Sequence, residues 1–416
     1  MGLMRSMLWW SLAGRPRVKT MELVLNDDQK LLKESAEKLV ERYGGPDAHR
    51  KLRDVESGFD KGRLKTIAEA GWLSLMVPEK ADGLGLGITD LALALEQAGR
   101  GLVTEPVAAL AASARAVGTG RAATGAGTEQ ALNSLVSGKN ILIPVLQDPT
   151  VPAAKRERIF AEHYHYGYQL TGTRTGIPFA EVADGFLVDA NTSDGTILII
   201  VPRDTFGITV DASRTVDGTA HGTIDFAEVT LMADELLIAG VKQGEKLAAD
   251  IYIRIMLGVS AEMLGVMEQA LDLAVGYMQT REQFGRPIGS FQALQHRAVN
   301  DHIQIELVRS LLYQVCNAVD GGHGSRAMVA AVKARASEAV LSVTKSVIQM
   351  HGAIGFTDEY DAGLYLRRAM TLASQYGNAS EHRESFVRHS RLDAEKAAEP
   401  GKRRKRKKPK KSIFAT

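Results

Sequence analysis

The change of hydrophobic period near Asn140, and its reversal near Glu245, constrains this chain more than any other feature. From Leu23 to about Leu110, apolar residues recur at three- and four-residue steps, the spacing of helices with one buried face. Between Asn140 and Leu231 the pattern becomes short β-rich runs at close spacing, with no helical segment between them. Helical periodicity then returns. Leu264, Met267, Leu271, Ala274 and Met278 mark one face, and Val329, Val332, Ala336, Val340, Val343, Val347 and Met350 mark another. Long helices joined by short turns pack as a bundle. The expected fold is therefore α+β: an N-terminal helical domain, a central antiparallel β-barrel or sandwich, and a C-terminal helical bundle. The expected boundaries are 21–139, 140–240 and 241–393, flanked by a disordered extension over 1–20 and a basic disordered tail over 394–416.

Local signals refine this outline. Asn26 is a candidate N-cap for the first helix, and Gly99 is a plausible stop for the helix resumed at Leu91. Gly83-Leu-Gly-Leu-Gly87 looks phosphate-binding, yet no strand precedes it in a βαβ unit, so a plain loop is the better reading. Strands are expected over Ile141–Leu146, Arg158–Tyr164, Tyr168–Thr173, Gly185–Ala190, Thr196–Val201 and Thr223–Leu231, with Asn191–Gly195 as a hairpin turn.

The formal charge of +2 conceals a strong polarity. Of 51 Lys and Arg, nine fall in residues 402–411 and four in residues 1–20, leaving 38 against 49 Asp and Glu. The body is acidic and the ends are basic. No aromatic interleaves the C-terminal cluster, so it is read as a solvated extension, with no specific nucleic-acid partner. Cys316, the only cysteine, excludes an intrachain disulfide and fits a reducing compartment, here expected to be cytoplasmic. No run of 18 apolar residues is long enough to span a membrane. Residues 1–20 lack a convincing signal-peptide cleavage site and are read as a disordered extension or a misassigned start before Met21.

Two segments carry chemistry. In Arg281-Glu-Gln-Phe-Gly-Arg-Pro-Ile-Gly-Ser-Phe-Gln292, a guanidinium, an aromatic ring and backbone amides meet at a helix junction. That combination suits a ligand with a phosphate and a ring. In Gln349-Met-His-Gly-Ala-Ile-Gly-Phe356, followed by Thr357-Asp-Glu-Tyr360, glycines after a helix let backbone amides approach phosphate. Taken alone, the first reads more simply as a helix-terminal arginine in a surface salt bridge beside a buried phenylalanine. His351 reads more simply as a helix-end cap than as a base.

Together, in this order and layout over about residues 22–390, the two segments resemble the acyl-CoA dehydrogenase family. The resemblance implies FAD, an acyl-CoA substrate, a homo- or hetero-tetramer, and an electron acceptor such as an electron-transfer flavoprotein. It also implies α,β-desaturation: a carboxylate removes the Cα proton while hydride leaves Cβ for the flavin. By position, Arg281, Phe284 and Gln292 would contact the flavin of a neighbouring subunit. Gln349, Gly352, Ala353 (in place of a second glycine) and Asn378 complete the implied cofactor contacts.

The implied base is absent. The family's usual glutamate corresponds to Tyr376 in Gln375-Tyr-Gly-Asn378, and the alternative position on the preceding long helix corresponds to Ile255. A tyrosine of ordinary pKa is ionised to only about one part in a thousand at pH 7. Asp250 is a candidate displaced base and Glu262 a weaker one; a structural carboxylate is the plainer reading of each. In the β region, Gly172-Thr-Arg-Thr-Gly-Ile-Pro178 matches a family strand but puts Gly176 and Pro178 where Trp and Thr flank the flavin. The expected function is a subunit of a heteromeric acyl-CoA dehydrogenase whose partner supplies the base. The alternatives are a flavin-dependent monooxygenase or oxidase on the same fold, and a non-catalytic structural subunit.

Overall fold

The computed structural model describes residues 25–55, 58–124, 126–148, 150–151, 156–232 and 236–398. The readings made for residues 1–20 and for the basic cluster at 402–411 lie outside the described residues.

The N-terminal helices are α1 (Asp27–Tyr43), α2 (Pro46–Arg53), α3 (Lys61–Glu69), α4 (Ile88–Arg100), α5 (Val107–Thr124) and α6 (Ala126–Val136). Asn26 caps α1 as expected: its Oδ1 accepts from Gln29 N at 2.8 Å, and Gln29 Oε1 accepts from Asn26 N at 3.3 Å. The reciprocal pair satisfies two amides that the helix leaves open.

Gly99 does not stop α4; it lies inside it. A Cβ at Gly99 would sit 2.0 Å from Glu262 O, and one at Gly265 would sit 1.8 Å from Glu96 O. The two glycines let α4 and the long helix α7 (Val241–Thr280) cross with their backbones in contact, which no larger residue permits. The start of α4 is held from far along the chain. Asp320, the last residue of α8 (Gln292–Asp320), accepts from Ile88 N and Thr89 N, both at 2.9 Å. A carboxylate at a helix N-terminus also meets the positive end of the helix dipole.

The strands are β1 (Leu142–Val145), β2 (Ile159–Tyr164), β3 (Gly167–Pro178), β4 (Gly185–Thr192), β5 (Gly195–Pro202), β6 (Ile208–Arg214), β7 (Ala220–Met232) and β8 (Leu237–Ala239). They form one sheet in the order β6-β7-β3-β2-β4-β5-β8, with β1 also paired to β4. The β4–β5 hairpin turns where expected, with Thr192 opposite Gly195. Two features differ from an antiparallel barrel or sandwich: the sheet does not close, and β1 and β2 both run parallel to β4. Alternating burial looks the same whichever way a neighbour runs, so the sequence pattern could not reveal the parallel pairs. β3 slips register against β7 between Arg174 and Ile177, and Gly176 sits in that bulge at φ +67°.

Beyond α7 and α8 come α9 (Arg326–His351), α10 (Ala362–Ser374) and α11 (Ala379–Ala398). The apolar faces read from the sequence on α7 and α9 are buried throughout. α11 continues past Ala394 to Ala398, because Ala, Glu and Lys favour helix.

A buried charge cluster fastens three regions together. Arg368 on α10 donates through Nε to Glu262 on α7 (2.7 Å) and through a terminal nitrogen to Asp217, between β6 and β7 (2.8 Å). Nearby, Arg63 Nε meets Glu105 at 2.7 Å, also buried.

Candidate active site and cofactor-binding surface

A cleft of about 360 Å³ opens between the sheet, α7 and the turn joining α10 to α11. Its wall includes Leu146, Asp148, Arg156, Glu157, Arg174, Gly176, Tyr252, Ile255, Tyr376, Gly377 and Glu381. Both positions at which the resemblance would place a carboxylate base, Tyr376 and Ile255, face this one cavity. Neither supplies one.

Burial pushes the Tyr376 hydroxyl well above the ordinary tyrosine pKa, which further disqualifies it as a base near neutrality. Its backbone is in the left-handed region, φ +56°, and its carbonyl meets His382 Nε2 at 2.9 Å. The carboxylates that do line the cleft have structural partners. Asp148 accepts from Thr150 N and Oγ1 (2.7 and 2.6 Å), and Glu157 accepts from Thr175 N and Oγ1 (both 2.9 Å). Glu381 accepts from Asn378 N at 2.7 Å while Asn378 Oδ1 accepts from Glu381 N at 3.1 Å, a capping box at the start of α11.

Asp250 does not line the cleft. It lies between Arg115 (2.9 Å) and Arg254 (3.0 Å). Burial would raise its pKa, but the two guanidinium groups outweigh that and hold it below the usual carboxylate value. Glu262 belongs to the Arg368 cluster, where burial raises its pKa against the pull of Arg368. Both carboxylates are engaged in ion pairs that hold helices together.

The residues matched to cofactor contacts gather elsewhere. Arg281 follows the last turn of α7, exposed, and its guanidinium has no ion-pair partner among the described residues. Phe284 and Gly285 form the two-residue turn of a short hairpin, β9 (Glu282–Gln283) with β10 (Arg286–Pro287), at φ +54° and +77°. That turn leaves the Phe284 ring 91 % exposed, edge-on to Phe291 at 6.0 Å. Gln292 opens α8 and is also exposed.

Gln349, Gly352 and Ala353 lie exposed at the end of α9. A Cβ on Gly352, at φ +67°, would meet nothing within 4 Å, so its backbone is open to a ligand. The two motifs converge because His351 stacks on Tyr277, one turn before Arg281, with ring centroids 4.8 Å apart. His351 Nδ1 also meets Val347 O at 2.7 Å, so the imidazole packs and caps rather than facing the cleft. Asn378 stands apart from this group, as the cap of α11 beside the cleft.

The matched residues thus form two groups, not one. Ile255 and Arg281 are 26 residues apart on or just beyond the continuous helix α7, roughly 40 Å at the helical rise. Arg281 cannot reach the cleft of its own chain. α8 also exposes Val299, Ile303 and Leu307, spaced by one turn, and Phe356 is exposed in the segment after α9.

Sequence reasoning missed Tyr252, Asp148, Arg174 and Lys333. Only Lys333 left a readable signal, a charge four residues after Val329 on an otherwise apolar face of α9. Among the described residues no helix is long and apolar enough to cross a membrane.

Residues 26–139 match the family profile described as acyl-CoA dehydrogenase, N-terminal domain, and residues 254–390 match the corresponding C-terminal domain. The chain is 30 % identical over 354 residues to acyl-CoA dehydrogenase FadE27 of Mycobacterium tuberculosis, an alignment covering 82 % of this chain and 91 % of that protein. Among solved structures it resembles a chain of the ChsE4-ChsE5 complex from Mycobacterium tuberculosis, at 27 % identity and a TM-score of 0.78. That match covers 92 % of this chain and all of the other. It matches the Tcur3481-Tcur3483 steroid ACAD variant equally well, at 27 % identity and a TM-score of 0.78, over 89 % of this chain and 99 % of that one. With the helix–sheet–helix architecture and the paired motifs, these matches establish that the chain belongs to the acyl-CoA dehydrogenase family of flavoprotein oxidoreductases.

Proposed function

We propose that this chain is one subunit of a heteromeric, FAD-dependent acyl-CoA dehydrogenase, and that a partner of the same family supplies the base. The observation that carries this reading is the cleft at which both base positions meet and neither holds a carboxylate. Loss of a positioned base lowers a rate by about 10²- to 10⁴-fold, so a chain with this cleft alone would be a poor catalyst.

The residues present fit the cofactor at the subunit surface better than in the cleft. Arg281 and the open backbone at Gly352 suit a pyrophosphate. Gln292, Gln349, Ala353 and Phe284 lie on the same exposed surface, and Asn378 would contribute from the cleft side. When bound, FAD accepts the hydride that leaves Cβ as a carboxylate takes the Cα proton. On the cleft wall Gly176 provides no aromatic plane, and Pro178, just beyond it on β3, carries no hydroxyl, so this chain does little to cover a flavin ring there. The distance between Arg281 and the cleft supports a role for Arg281 at a neighbour's cofactor. The named composition of the ChsE4-ChsE5 complex and the steroid substrate class named for the Tcur enzyme favour a two-chain assembly and a bulky acyl-CoA. Reoxidation would use an electron-transfer flavoprotein or similar acceptor.

The test is to express the chain alone and together with a base-carrying family member encoded beside it. FAD per chain and anaerobic flavin bleaching by acyl-CoA are then measured in both preparations. Stable FAD and rapid bleaching only in the joint preparation support the reading. Full activity from the chain alone refutes it.

A further inference from the structure

Lys333 on α9 is fully buried, although no carboxylate lies within ion-pair distance among the described residues. Its ammonium donates to Ser337 Oγ at 3.0 Å and to the carbonyls of Leu372, Ala373 and Gly377 at 3.2, 3.4 and 3.1 Å. Leu372 and Ala373 belong to the last turn of α10, where carbonyls lack helical partners and the dipole favours a cation. Gly377 lies one residue beyond Tyr376. A single buried cation therefore ties a helix end to the turn that forms one wall of the cleft.

That turn has to be held. Tyr376 and Gly377 both have left-handed backbones, at φ +56° and +96°, a conformation a tyrosine adopts only when its surroundings impose it. We propose that Lys333 is a positioning residue that clamps the Tyr376–Gly377 turn to the end of α10 and so fixes the wall of the cleft. Its bearing on catalysis rests on the reading of this cleft as the acyl-CoA site; the clamp itself does not.

The clamp should respond to pH. Burial lowers the Lys333 pKa to about 7, against the pull of Asp148, after β1, and Glu381, on α11. His382, also on α11, is itself lowered to about 4, by burial and then by Lys333, and is neutral in this range. From α10 the ammonium meets carbonyls only. A neutral amine has one hydrogen fewer for the same oxygens, so the turn is gripped below about pH 7 and loosens above it.

The test is hydrogen exchange of peptides spanning residues 375–378, on the full chain from pH 6 to 8.5 and corrected for intrinsic exchange rates. In the wild type, protection should fall roughly tenfold as pH rises through 7, the equivalent of one charge-assisted hydrogen bond. Lys333→Met should be poorly protected at every pH, with a flat profile, while peptides of β4 and β5 keep wild-type protection. Should Lys333→Met fail to fold, Ser337→Ala serves instead: removing one acceptor should move the wild-type midpoint to lower pH. A wild-type profile flat through pH 7, or Lys333→Met protection equal to wild type, overturns the clamp. The intact profile in a jointly expressed enzyme that does not oxidise acyl-CoA supports the clamp and removes only the functional reading.

Discussion

Replacing Arg368 by leucine removes the one cation between Asp217 and Glu262 while roughly preserving volume. All three side chains are buried, so neither carboxylate can turn to water. Breaking a buried pair on one side costs about 3–5 kcal/mol, because the remaining charge stays desolvated. Proton linkage gives the loss a signature. In the wild type, burial would raise the Asp217 pKa, but Arg368 and the Thr215 and Thr219 hydroxyls bring it down to about 2. The folded value lies below the unfolded one, so Asp217 contributes about 2 kcal/mol of stability above pH 4, lost as pH falls through 2. In Arg368→Leu the sign reverses. Without the guanidinium, burial outweighs the Thr215 and Thr219 hydroxyls at Asp217 and raises Glu262 further than it does in the wild type, so the variant gains stability as pH falls from 7 to 5. His49 moves the same way: burial first and then Arg368 hold it near 4, and removing the cation lets it accept a proton. Calorimetric unfolding of both proteins at pH 5 and pH 7 should show a large gap at pH 7 that narrows at pH 5. A gap below about 1 kcal/mol, or one equal at both pH values, would refute the reasoning.

Gly265→Ala should cost at least about 1–3 kcal/mol, read as a lower melting temperature, because its Cβ would lie 1.8 Å from a backbone oxygen of α4. An unchanged melting point would mean that the helices are not in backbone contact. In the joint preparation with the partner's base replaced by glutamine, Tyr376→Glu should raise anaerobic flavin reduction by acyl-CoA by about 10²- to 10⁴-fold; no gain would show that the missing base is not what limits this chain's cleft. Phe284→Ala should leave the stability of the isolated chain within about 0.5 kcal/mol, since the ring is exposed, yet reduce FAD retention after joint expression. Equal retention would remove Phe284 from the cofactor surface.

What the sequence revealed depended on how local the cause was. The Asn26 cap and the buried face of α9 follow from residues within a turn of one another, and both are found as expected. Gly99 misled because a glycine late in a helix can end it or admit another helix, and only the crossing with α7 decides between them. The parallel placement of β1 beside β4 depends on how the chain re-enters the sheet, which alternation does not encode. Tyr376 and Ile255 could each be named from the motifs, but their meeting at one cleft is a property of packing. The same holds for the separation of Arg281 from that cleft, since nothing in either motif shows that α7 runs unbroken between them.

The Asp320 cap of α4 has a consequence for synthesis. Thr89 and Asp320 are 231 residues apart, so at 5–20 residues per second the ribosome needs roughly 10–50 s to deliver one after the other. Throughout that interval the nascent N-terminal helices lack this cap, and until Gly265 is made, 176 residues after Thr89, they also lack the α7 backbone against which α4 is shaped to lie. The early part of the chain emerges with its crossing face bare, and α4 gains its full set of native contacts only late in translation.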